Sequence, residues 1–205
     1  MREACARLLT ALALCGAVGG AAGPAAAETG GARARAGRAV VEMAGHRRLV
    51  RVMDGAGHRP APFVTDGCSG GLSATWRGLA DRLPRFAGIH AERPPWEACC
   101  VTHDRAYHAA GGARTARESH AARRAADIAL RACVRETGAR RTAGLSAAYG
   151  VPASRIADAY EVIADAMFAA VRLGGAPCSG LPWRWGYGYP PCLGPHARAA
   201  GGDRP

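Results

Sequence analysis

Five residues in the stretch Trp96–Tyr107 could do chemistry together: Cys99, Cys100, His103, Asp104 and Tyr107. On a helix, which advances about 100° per residue, Cys99, His103 and Tyr107 share one face at i, i+4 and i+8. Cys100 and Asp104 form the row beside it. An imidazole titrates near neutrality and can serve as a base. A carboxylate suits a hard cation, and two sulfurs can fasten the helix to neighbouring segments. A surface His–Asp pair on a disulfide-braced helix is the competing reading of His103 and Asp104. Packing alone, however, asks for no such combination.

Two further segments belong with this helix. Thr65-Asp66-Gly67-Cys68-Ser69-Gly70-Gly71 is small and glycine-rich, so its backbone can turn tightly and present main-chain carbonyls to a Ca²⁺ ion. Taken alone it is an ordinary turn, and its significance depends on Asp104. The second segment carries Asp127, six residues before Cys133. Suppose that its helix runs antiparallel to the first and that Cys99–Cys133 joins them. His103 then lies about 6 Å along the axis from the bridge and Asp127 about 9 Å, within roughly 3 Å of each other axially at 1.5 Å per residue. A carboxylate there can hold one ring N–H and leave the other nitrogen free as a base. Cys68–Cys100 would tie the glycine loop beside Asp104.

The elements that must position these groups read as mainly helical. Pro94-Pro95 opens the central helix and Gly111-Gly112 ends it. Thr115-Ala116-Arg117-Glu118 fits a capping box, starting a second helix that runs through Asp127, Leu130 and Cys133 to about Thr137, with Gly138 as its stop. A third helix begins near Pro152. Its stripe Ile156, Tyr160, Ile163, Met167 and Val171 packs on the first two, and Gly174-Gly175 close it. Earlier, Ala39–Met53 forms a helix interrupted near Gly45, Asp54–Pro62 is turn chemistry, Ser73–Leu83 is a short helix capped by Ser73 and stopped by Pro84, and Arg85–Arg93 is irregular. The Cys178–Cys192 segment is a disulfide loop rich in aromatics, with Trp183, Trp185, Tyr187 and Tyr189. Those rings either cover the helical core, the preferred reading, or seat the molecule at a lipid–water interface.

Composition sets the compartment. The first 27 of the 205 residues carry Arg2 and Arg7, an apolar run Leu8–Val18 and Ala25-Ala26-Ala27, the pattern of an export signal. A disordered Gly- and Arg-rich tail, residues 28–38, is expected next, then one domain over 39–205. Losing Cys5 and Cys15 with the signal leaves six cysteines, Cys68, Cys99, Cys100, Cys133, Cys178 and Cys192. An even number in an exported, extracellular chain implies three disulfides, and the absence of C-x-x-C pairs argues against zinc. The net charge is +11 and every basic residue other than histidine is arginine. Such a surface either attracts anionic lipid headgroups or is simply a solvated basic exterior, and composition favours neither. Nucleic-acid binding rests on charge alone and is not expected.

Cys99-Cys100-Val101-Thr102-His103-Asp104-Arg105-Ala106-Tyr107 resembles the C-C-x-x-H-D-x-x-Y helix of secreted phospholipases A2. Asp127 with Cys133 is similar to that family's second-helix D-x(5)-C, and Asp66–Gly71 resembles its calcium loop, with Ser69 where a glycine is usual. The resemblance covers Thr65 to about Val134. It implies a mainly α, phospholipase A2-like fold: two long antiparallel disulfide-linked helices, a Ca²⁺-binding loop and a third packing helix. It also implies calcium-dependent hydrolysis of the sn-2 ester of glycerophospholipids. His103 would be the general base, Asp127 its orienting partner and Tyr107 a hydrogen-bond donor to that aspartate. Asp104 would bind Ca²⁺ with carbonyls of Gly67, Ser69 and Gly71. The family's second aspartate-binding tyrosine has only Tyr160 as a candidate here. A phospholipid surface is the implied partner and a monomer is expected. The alternative is a catalytically silent phospholipase A2-like module that binds anionic membranes or a protein partner.

Overall fold

The computed structural model describes residues 24–68 and 71–192. Residues 1–23 of the expected export signal, with Cys5 and Cys15, and the loop residues Ser69 and Gly70 lie outside the described residues. Contacts divide the chain into two units, Met1–Arg38 and Ala39–Pro205. Among the described residues the structure is helical, with no strand, and carries three disulfides.

Helix α1 spans Pro24–Gly55. It includes residues 28–38, for which a disordered tail was expected. Alanine and arginine are strong helix formers, and here they outweigh the glycines. Nor is α1 interrupted at Gly45. A Cβ at Gly45 would sit 2.9 Å from the Pro177 carbonyl oxygen, so this glycine serves close approach of another segment rather than a break. Helix α2 (Leu72–Arg82) starts from Gly71 at φ 82°. Ser73 is not its cap: its hydroxyl accepts the Cys68 N–H at 2.9 Å instead. Residues expected to be irregular form α3 (Pro84–His90), which has proline in its first turn, where a missing N–H costs nothing.

Helix α4 (Glu97–His108) follows the two prolines and yields to a 3₁₀ turn, Ala110–Gly112, with Gly111 at φ 63°. Helix α5 (Ala116–Tyr149) has the expected capping box, with the Thr115 side chain and Glu118 bonded reciprocally. It continues eleven residues beyond Gly138, to Tyr149, where Gly150 in the left-handed conformation ends it. Gly138 is not a stop. The Tyr160 ring lies directly over its Cα and leaves no room for a Cβ. Helix α6 spans Ala153–Gly174.

Partners across the helices define their directions. Cys99 meets Cys133, and His103 and Tyr107 both meet Asp127, so α4 and α5 are antiparallel. Arg131 and Arg135 bridge to Asp165, and Arg123 reaches the end of α6, so α5 and α6 are antiparallel too. Two apolar clusters result. One gathers Trp96, Cys99, Leu130, Val134, Tyr160 and Ala164; the other gathers Leu49, Met53, Tyr107, Trp185 and Tyr189. Helix α4 contributes its first turns to one cluster and Tyr107 to the other, so His103 and Asp104 are held between two packed regions.

Candidate active site

His103 and Asp127 meet in the core between α4 and α5. His103 Nε2 is 2.9 Å from Asp127 Oδ1, and the two side chains are 5% and 0% exposed. The Tyr107 hydroxyl donates to the same carboxylate oxygen at 2.8 Å. With Nε2 engaged, Nδ1 is the nitrogen left to act, and it lies 4.0 Å from Asp104 Oδ1. Burial disfavours the charged imidazole, but the hydrogen bond to Asp127 and the negative charges of Asp104 and Asp127 outweigh it and raise the His103 pKa above its ordinary value. Burial also raises the Tyr107 pKa, which keeps that hydroxyl a donor. Gly175 makes room for the tyrosine: a Cβ there would stand 2.7 Å from its hydroxyl oxygen.

The other oxygen of Asp127 has a partner that sequence reasoning missed. Arg172, near the end of α6, donates to Oδ2 from Nη1 at 3.0 Å. Its Nη2 donates to both Glu42 oxygens on α1 at 2.8 Å. The fully buried Arg123 donates to Glu42 at 2.5 Å, to the Tyr107 hydroxyl at 3.2 Å, and to the carbonyls of Val171 and Arg172 at 2.8 and 2.9 Å. Burial would raise the Glu42 pKa, yet its contacts with His46, Arg123 and Arg172 bring it down to about 2. Tyr160 does not reach Asp127. It packs on Gly138 and edge-on to Trp96, and arginine stands where the resemblance led us to expect a tyrosine. One local signal existed: Arg123 and Asp127 are four residues apart on α5 and both turn inward.

Asp104 faces the other way, toward the 65–71 loop. The Thr65 hydroxyl donates to Asp104 Oδ2 at 2.6 Å and accepts the Gly67 N–H at 3.1 Å. The Cys68–Cys100 bridge joins the loop to the residue four before Asp104, one turn away on α4. Gly67 is buried at φ 82°, with Glu97 and Ser73 where a Cβ would go. Tyr187 donates to the Val64 carbonyl at 2.7 Å and bounds this side of the site.

These residues fit a hard cation. Thr65 offers a hydroxyl and Asp104 a carboxylate 2.6 Å from it, oxygen donors of the kind that Ca²⁺ takes. Among the described residues no three His, Cys, Asp or Glu side chains cluster as a metal-binding group, so any ion beside Asp104 depends on the backbone of this loop. The Gly67 N–H lies 3.1 Å from the Thr65 hydroxyl that reaches Asp104. The Gly71 carbonyl accepts the Thr75 N–H at 2.8 Å and so points along α2. Ser69 lies outside the described residues.

A pocket of about 140 Å³ opens against His103, lined by Thr102, Ala106, Ala126, Ala129, Leu130 and the Cys99–Cys133 bridge. The aromatic loop closed by Cys178–Cys192 braces the opposite side. Trp185 is fully buried, edge-on to Tyr107 at 4.9 Å, and donates to Ser119 at 2.9 Å. Tyr189 is buried as well, while Trp183 remains 39% exposed. No helix among the described residues is long and apolar enough to cross a membrane. No family model, curated protein or solved structure matches the chain.

Proposed function

We propose that this protein is a calcium-dependent hydrolase of the sn-2 acyl ester of glycerophospholipids, exported and acting at lipid surfaces. The observation that carries the reading is the His103–Asp127 contact of 2.9 Å, with Nδ1 turned toward a carboxylate suited to a hard ion. His103 Nδ1 takes a proton from water as the water oxygen bonds to the ester carbonyl carbon. The C–O bond to the glycerol then breaks, and the leaving alkoxide takes the same proton back from Nδ1. The products are a free fatty acid and a lysophospholipid. Asp127 keeps its charge throughout, holds the Nε2–H and stabilises the imidazolium while it exists. Asp104 and the Gly67 carbonyl would hold Ca²⁺ in this reading, with Ser69 the other loop position that the resemblance implies; the Gly71 carbonyl is engaged by the Thr75 N–H instead. The ion supplies polarisation of the ester carbonyl and charge balance for the oxyanion. The apolar pocket beside His103 suits the first methylenes of the acyl chain. Three disulfides suit an oxidising compartment.

Fatty-acid release from vesicles of anionic and zwitterionic phospholipid tests this. Release should require calcium, come from the sn-2 position, and fall by about 10²–10⁴-fold in His103→Gln, the range for losing a general base. Vesicle binding with no release would favour a silent lipid-binding module instead.

A further inference from the structure

We propose that Arg172 is a positioning residue for the His103–Asp127 pair, held in place by Glu42 and Arg123. The proposal rests on the reading of His103 as general base, but its geometry stands independently.

Terminal carboxylate torsions are broad, so an aspartate held at a single oxygen can rock about its last bond. Asp127 is held at both oxygens. Oδ1 takes His103 and Tyr107, and Oδ2 takes Arg172. The guanidinium therefore fixes the carboxylate plane and aims the Oδ1 lone pairs at Nε2–H. Arg172 is itself fixed, because its second nitrogen spans both oxygens of Glu42. Arg123 completes the set. It donates to Glu42 and to the Val171 and Arg172 carbonyls at the end of α6, the first of which also takes the Gly175 N–H. It also donates to the Tyr107 hydroxyl. A hydroxyl that accepts from Arg123 must direct its single proton elsewhere, and Asp127 Oδ1 at 2.8 Å receives it.

Two carboxylates and two guanidiniums thus pair here, with His46 and His120 also 3.7 and 3.9 Å from Glu42. Each guanidinium reaches its acceptors from separate nitrogens in fixed directions, which one ammonium nitrogen does less rigidly. The site consequently draws on α1 and on the last turn of α6, neither of which carries a reacting group. A merely structural ion-pair cluster would hold these helices together without governing the imidazole.

Arg172→Gln, Arg172→Lys and Glu42→Gln separate the two roles. The first readout is the nitrogen-15 and proton spectrum of the His103 ring in calcium-free protein, without lipid. The parent should show one tautomer, protonated at Nε2, with that proton protected from exchange. Arg172→Gln should lose the single tautomer, and its kcat on phospholipid should fall about 10–100-fold, the usual cost of removing an outer partner of a site histidine, with KM changed much less. Arg172→Lys should recover part of both, and Glu42→Gln should shift both in the same direction by less. If Arg172→Gln does not fold, Glu42→Gln, which keeps its shape, decides the matter. Folded variants with the parent's tautomer and kcat would overturn the proposal. A parent that shows the protected Nε2–H but hydrolyses no lipid would overturn the general-base reading and leave the positioning role to the ring spectrum alone.

Discussion

Asp127 is fully buried and takes donors from α4 and α6 on both oxygens, whereas Asp104, only slightly more exposed, takes one hydroxyl from a loop. The first carboxylate belongs to a charge-balanced network that includes Glu42, Arg123 and Arg172. The second is backed by one disulfide and by a threonine that also takes the Gly67 N–H. On the proposed function the contrast matches the chemistry asked of each. A base must be presented in one orientation, and its partner is held at both oxygens. A Ca²⁺ ligand would instead exchange its hydroxyl contact for the ion.

Changes on the two sides should therefore have different costs. The largest effect is expected from Asp127→Ala, which removes the buried acceptor shared by His103, Tyr107 and Arg172 and should lower stability by about 3–5 kcal/mol. Thermal unfolding would show it, and Asp104→Asn should cost far less in the same experiment. Next comes the double change Cys68→Ser with Cys100→Ser. Opening that bridge should lower stability by about 2–4 kcal/mol. It should also weaken calcium binding in a direct titration while leaving the protected His103 Nε2–H in place. Unchanged calcium affinity would remove the bridge from any role in the loop.

Acid should act on the locked side through Glu42. The Glu42 carboxyl is near 2 when folded, below its ordinary 4.5, so its stabilisation is complete above 4.5 and is lost as pH falls from there through about 2. Glu42→Gln should flatten that part of the stability–pH curve measured by denaturant unfolding. The smallest effect is expected from Thr65→Val, which removes one hydroxyl from Asp104 and should cost roughly 1 kcal/mol. Its calcium affinity should change more noticeably than its melting temperature.

How far the sequence reached divides along the same line. The His103–Asp127 pairing was legible because the spacings 99-103 and 127-133 are helical and the axial arithmetic needs only two helices; Tyr107 as donor to Asp127 was implied by the resemblance. The capping box at Thr115 and the α6 stripe were legible for the same local reason. Gly45 and Gly138 misled, since a glycine that ends a helix and one that admits a neighbour look alike until the neighbour is known; at Gly138 it is Tyr160. Arg172 and Glu42 could not be found locally. They meet across 130 residues, and each reads alone as an ordinary charge on a basic helical chain. The Thr65 role was hidden differently: a hydroxyl near a glycine turn has many partners within reach, and only the Cys68–Cys100 geometry selects Asp104.

The central claim is that a histidine fixed by a buried aspartate works beside an ion held by Asp104 and a glycine loop. Its most direct test is a calcium titration of the parent and of Asp104→Asn, followed by phospholipid hydrolysis on the same samples. The account predicts that the parent binds calcium and releases sn-2 fatty acid in step with occupancy, and that Asp104→Asn does neither. Hydrolysis that persists after calcium is stripped, or equal binding by the two proteins, would contradict it.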